Sequence, residues 1–300
     1  MATGVEINRT NITLPSEVSS EILQKTQEAS AIMRLARKVN LPGSGLTIPV
    51  ITGDPTAAWV AETAAKPLSN PSVSTKLMTP YKLAVIETFS EEFTRDARAL
   101  YDALVARLPG ALAKAFDKTV VGAIVKPGDN FDNFASCQAQ SLIATSDASL
   151  YDGLVAADAD IASHGGSLNG FALSPAARAL LLSAVDTTGR PLFINSVADG
   201  AIPQIIGQPT YFNSGVYKAG SGTDTAAIVG IAGDWTQAMY GTVEGVKIKM
   251  STEATITSGT DTVINLWQQN MVAILAEIEI GFRADTSCFN LLAGAVPSGE

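Results

Sequence analysis

The chain has 300 residues, enough for one large domain or two ordinary ones, with 46% hydrophobic residues but only 16% charged, against a usual share of about 25%. Its formal net charge is −9, from 20 basic and 29 acidic residues, and no basic stripe is present, which argues against sequence-specific nucleic-acid binding. A surface so poor in charge suits a protomer largely covered by other subunits, because the centres of obligate interfaces are depleted of charge.

Residues 1–14 are polar and aperiodic and read as an extended arm. Pro15-Ser16-Glu17 opens a short helix, a second apolar stretch covers 31–36, and Leu41-Pro42-Gly43-Ser44-Gly45 is a turn. A strand-like run at 46–51 then leads through Gly53-Asp54-Pro55 to 57–62. A polar, proline-containing stretch at 63–72 has almost nothing to bury, and a second extended run occupies 76–86. An isolated two-stranded ribbon is marginal in water, and its edges offer unpaired backbone groups to other chains. The expectation is that this ribbon lies across a neighbouring subunit.

Ser90, Glu91 and Glu92 form a good helix start. Phe93, Ala97, Leu100, Leu104, Leu108, Leu112, Ala115 and Phe116 then recur at helical spacing. This predicts a helix over about 90–122, kinked or broken at Pro109, which lacks an N–H. Ser146-Asp147 caps a further helix that ends at His164-Gly165-Gly166. Phe171-Ala172-Leu173 is a short strand, and Ser174-Pro175 starts a helix running to about 185. Short strands between Gly, Pro and Asn turns fill 192–250. Alternation of Ala276, Ile278 and Ile280 with Glu277, Glu279 and Gly281 makes most of 267–282 a strand. The order of elements is that of an α+β chain.

Several motifs occur in a characteristic succession. They are Trp59-Val60-Ala61-Glu62, Pro80-Tyr81-Lys82-Leu83-Ala84, Ser90-Glu91-Glu92-Phe93, Leu173-Ser174-Pro175, Asp186-Thr187-Thr188-Gly189-Arg190-Pro191-Leu192, Gly207-Gln208-Pro209 and Gly233-Asp234-Trp235. In this order, over about 14–292, the chain resembles the major capsid proteins of tailed bacteriophages.

The resemblance implies a phage-capsid-like fold. Its N-terminal arm would be 1–14, and its peripheral domain would take 15–45, 87–165 with a spine helix at 90–122, and 251–300. The extended two-stranded loop would be 46–86 and the axial domain 166–250. It implies self-assembly through pentamers and hexamers into an icosahedral shell that encloses double-stranded DNA without reading its sequence. The protein would reside in the virion, and in the host cytoplasm during assembly. No cleavable scaffolding segment precedes the family-like sequence, so a separate scaffold protein, or none, is implied; portal and decoration proteins are further partners of such shells. Encapsulins, protein-loaded bacterial compartments on the same fold, are the alternative.

On this reading Trp59, Val60, Glu62, Leu77, Met78, Tyr81 and Lys82 are the expected inter-subunit contacts. Some relatives join a loop lysine to a neighbour's asparagine; Lys66 and Lys76 in the ribbon and Asn290 near the C-terminus are the candidates here, though no motif marks them as partners.

Catalytic chemistry finds little support. His164 is the only histidine and sits in a helix-ending loop, and no Gly-x-Ser-x-Gly elbow occurs. Cys137 and Cys288 are far apart in sequence and form no CxxC pair. One histidine with two isolated cysteines makes a zinc site improbable, and Asp158 and Asp160 diverge by about 200° on a helix. No Walker or dinucleotide fingerprint occurs. Trp59, Trp235 and Trp267 lack basic neighbours and read as core or interface anchors. The expectation is a non-enzymatic protein with no catalytic site, metal or cofactor. No run approaches the ~18 apolar residues of a membrane span.

Overall fold

The computed structural model describes residues 25–294 except 27–28, 54–56, 63–64, 67, 69–71, 91–96, 144–148, 185–189, 191, 194–203, 221–225 and 259–261. The expected arm at 1–14, the helix opening at Pro15 and the Glu91-Glu92 first turn lie outside the described residues, while the helix expected to be capped at Ser146-Asp147 is capped three residues later, by Ser149.

Two larger sheets carry the core. The first has five strands and is organised around β14 (Met271–Ala284), as its alternating sequence predicts. One edge of β14 pairs with β4 (Tyr81–Ser90). The other pairs with β10 (Ala238–Thr242) and β11 (Lys247–Ser251), and β1 (Arg37–Asn40) joins β10 in parallel. Ile274, Ala276 and Ile278 alternate onto one face, where they are buried with Leu108 and Leu112 of the long helix α2 (Ala97–Val121). Glu277 and Glu279 point to the other face and meet Lys249 and Lys82 at 3.4 and 3.6 Å. The period of two therefore decides which face is covered.

The second sheet has six strands in the order β5 (Ala139–Ser141), β15 (Phe289–Gly294), β9 (Ala227–Gly233), β6 (Gly170–Leu173), β8 (Gln208–Phe212), β7 (Gln204–Ile205). Helices α3 (Leu150–Ser163) and α4 (Pro175–Ser183) bury Leu154, Ile161, Ala177 and Leu181 with Phe171, Val229 and Leu292 of this sheet. Ser149 and Asp152 form a capping box on α3, and Ser174 caps α4 with Pro175 in its first turn. A cluster of Phe116, Phe131, Phe134, Trp235, Phe282 and Phe289 joins the two sheets. Its rings meet mostly edge-on, and Phe134 stacks on Phe289 at 4.4 Å. The short helix α1 (Ala31–Leu35) closes the cluster from one side.

Two paired ribbons stand apart from these sheets: β2 (Leu46–Gly53) with β3 (Ser72–Met78), and β12 (Thr255–Ser258) with β13 (Thr262–Asn265). Several sequence expectations are corrected here. The returning strand of the first ribbon ends at Met78, not Ile86, because residues 81–90 are β4 and are fully paired with β14. Ser90 is the last residue of that strand, opposite Met271, and the residues after it, where the helix start was expected, lie outside the described residues. The spine helix is described from Ala97 and continues unbroken through Pro109 to Val121. The six-stranded sheet takes α3, β5 and β15 from outside the 166–250 span, whereas β10 within that span belongs to the five-stranded sheet.

Candidate inter-subunit surface

The first ribbon is locked at its root and bare at its tip. At the root, Met78 is fully buried. A Cβ on Gly281 would come within 2.7 Å of Met78 Cγ and 3.0 Å of the Thr79 carbonyl, so only glycine lets the ribbon sit this close to β14. Arg283, on β14, fastens the same point. Its Nε donates to the Leu77 carbonyl at 2.8 Å, Nη1 to Asp132 Oδ1 at 2.7 Å, and Nη2 to Asn130 Oδ1 at 3.0 Å. Asp132 also accepts from the Ala284 N–H at 3.1 Å, so one ion pair ties sheet, ribbon and the loop after α2. Charge-assisted bonds of this kind fix orientation as well as contributing energy. Lys76 Nζ donates to the Ala284 carbonyl at 3.2 Å.

At the tip the chemistry reverses. Trp59 is 105% exposed and Leu68 87%, with Val60, Glu62 and Lys66 also exposed. The second ribbon repeats the pattern, with Val263 exposed on β13 and Trp267 72% exposed just beyond it. Both ribbons thus bare large apolar side chains outside the core. Covering one tryptophan, about 200 Å², is worth at most about 5 kcal/mol.

The expected contact residues therefore divide. Trp59, Val60, Glu62 and Leu77 are accessible. Met78 is not, since it packs into its own protomer. Tyr81 packs edge-on against Phe131 with ring centroids 6.2 Å apart, and Lys82 pairs with Glu279 of its own sheet, which leaves both on β4 rather than on the ribbon. Of the lysine–asparagine candidates, Lys66 is exposed at the tip and Lys76 is held at the root. Asn290 is fully buried on β15, its amide donating to the Ala157 carbonyl and Asp160 Oδ2, so no neighbour's lysine can reach it in this protomer.

Sequence reading missed the Arg283 clamp and the second ribbon. Arg283's partners lie 151 to 206 residues away, beyond any local pattern. The second ribbon did carry a local signal, since strand-forming Thr255-Ile256-Thr257 and Thr262-Val263-Ile264 flank Gly259. Elsewhere, His164 is exposed at the C-cap of α3, its Nδ1 2.9 Å from the Asp160 carbonyl. Cys137 and Cys288 are free thiols, and burial pushes Cys137 up to about 12. Among the described residues no group of three potential metal ligands occurs and no helix is long and apolar enough to cross a membrane.

The Phage capsid family model matches residues 10–285. The chain is 27% identical over 288 residues to the probable major capsid protein gp17 of Mycobacterium phage L5, covering 91% of this chain and 86% of the relative. It is equally similar, 27% over 297 residues with 95% and 91% covered, to the probable major capsid protein gp17 of Mycobacterium phage D29. A solved chain from Gordonia phage Cozz shares the fold with a TM-score of 0.70 at 24% identity, over 89% of this chain and 86% of that one. A family match that runs through the long helix, the five-stranded sheet and both ribbons leaves one assignment: this chain belongs to the phage capsid family.

Proposed function

We propose that many copies of this protein assemble into the icosahedral shell of a virion, enclosing double-stranded DNA as the shell's major structural component. The observation that carries this is a ribbon rooted on its own sheet by Met78 and Arg283 while Trp59, at its tip, is fully exposed. Such a ribbon is built to deliver an apolar anchor to a second copy. The six-stranded sheet with α3 and α4 is the axial unit that gathers copies into pentamers and hexamers. The five-stranded sheet with α2 is the peripheral unit.

Contacts that are weak singly become strong when repeated around closed rings. The acidic balance suits a container that does not adhere to its DNA, since phosphate affinity scales with Lys and Arg contacts. The role is mechanical and not enzymatic. Assembly takes place in the host cytoplasm, with a separate scaffold protein or none, and portal and decoration proteins are further partners of such a shell. Relatives named as phage capsid proteins weigh for this reading over an encapsulin compartment.

The test is Trp59→Ala. Its protomers are expected to fold with an unchanged melting temperature, while shell yield counted by negative-stain microscopy falls about tenfold, as loss of a central aromatic anchor does. Wild-type yield from the variant would overturn the proposal.

A further inference from the structure

Where α1 crosses β6 and β8, Arg34 and Arg37 frame an open cleft of about 410 Å³ whose other walls include Asn169, Tyr211 and Thr236. The Arg34 guanidinium lies over the Tyr211 ring, 4.3 Å from its centroid. Stacking of this kind fixes the guanidinium plane while its N–H donors stay available. Neither arginine has a hydrogen bond or a carboxylate partner among the described residues. By contrast, Lys82, Lys247, Lys249 and Arg283 each meet a carboxylate of their own chain within 3.6 Å.

The polar walls are already satisfied. Asn169 donates to Asp234 Oδ1 and accepts from the Trp235 N–H, and the Thr236 hydroxyl donates to Asp234 Oδ1. Asp234, the acidic group behind these walls, is engaged by Ser167, Asn169 and Thr236. Among the described residues, the cationic donors facing the cleft are therefore two uncommitted guanidiniums, with the Tyr211 hydroxyl beside them.

We infer that this cleft is a carboxylate-binding site filled by an acidic side chain of a second copy of this chain. The inference rests on the shell reading above and names a contact that reading does not include. An open cleft with one stacked and one free guanidinium matches a single carboxylate, which takes paired N–H donors in one plane. Duplex DNA instead requires a row of cations spaced along its phosphates. A neighbouring copy offers carboxylates in excess, since each chain carries 29 acidic residues against 20 basic ones.

The experiment compares wild type with R34A/R37A in shell assembly across a NaCl series. Both arginines are exposed, so the variant's melting temperature is expected to stay at the wild-type value. The subunit concentration needed for assembly is expected to rise about tenfold, a loss between that of an exposed ion pair and that of a fully desolvated one. Wild type should need more protein as salt rises, and the variant should respond less. A second variant, R34K, is assembled from mixed isotope-labelled and unlabelled subunits and treated with a carbodiimide. Mass spectrometry is expected to find position 34 joined to a carboxylate peptide of the other isotope. A link confined to one copy overturns the inference. So do R34A/R37A shells that form normally but hold less DNA, which would move the site to phosphate contacts. If wild type forms no shells, both readings fall; if wild type assembles and R34A/R37A matches it, only this one does.

Discussion

Asp117 is fully buried where the spine helix meets α1. The Ser30 hydroxyl donates to its Oδ1 at 2.6 Å and the Ala31 N–H to its Oδ2 at 3.1 Å, while the same Ser30 oxygen caps α1 by accepting from Met33. Burial outweighs these bonds and raises its pKa from 3.8 to about 7. A carboxyl that holds its proton more tightly folded than unfolded contributes stability in full below about pH 4 and loses it as pH rises through about 7. Asp234 has the opposite sign: against the pull of burial, bonds from Thr236, Ser167 and Asn169 hold it below the ordinary range. Its contribution is lost only below pH 3.8, outside the same window. Asp117→Asn keeps one acceptor for Ala31 and gains a donor for Ser30, yet cannot ionise. The melting temperature of wild type minus that of D117N is expected to fall between pH 5 and pH 8. A difference that stays flat across that interval would sink the argument.

The spine helix shows which elements a sequence makes legible and why. Its apolar stripe was readable because Leu108, Leu112 and Phe116 keep helical spacing, and all three are buried. The alternation in β14 was readable for the same reason, since one face is covered and the other is not. The boundary between the ribbon and β4 was not, because residues 76–86 form one extended run in which only Thr79-Pro80 marks the change of partner. Pro109 is buried inside an unbroken helix, although an interior proline costs about 3 kcal/mol against alanine. Such a cost in the longest described helix motivates a proposal: Pro109 eases bending of the spine if the assembled shell expands. Pro109→Ala is expected to raise stability by about 1–2 kcal/mol in denaturant titration, less than the full propensity gain because ring contacts are lost. It is also expected to slow shell expansion, followed by light scattering. Equal expansion rates, or one helix curvature in compact and expanded shells, would remove the reading.

On the scale of the whole molecule, charge depletion and the ribbon motifs pointed to a protein made to be surrounded, and this was legible because burial by other copies acts on composition. The residues that aim the ribbon were not legible. Arg283, Gly281 and Asp132 act only through contacts between segments distant in sequence, as when Arg283 meets Leu77 206 residues away. This division of labour between a fixed root and a reaching tip can be tested directly, because the ribbon's register offers a place to cut. Gly53 lies opposite Ser72, so residues 54–71 can be replaced by Asn-Gly, the pair suited to a two-residue hairpin turn. The shortened chain keeps Met78, Arg283 and every strand pair of the root, so its protomer is expected to unfold at the same denaturant midpoint as wild type. What it loses is reach, and in a closed shell that loss recurs at every subunit. No closed particles are expected at ten times the concentration, about 1.4 kcal/mol per added subunit, at which wild type assembles. Normal shells from this variant would mean that the tip serves its own protomer after all. A lowered denaturant midpoint would mean that root and tip are one structural unit.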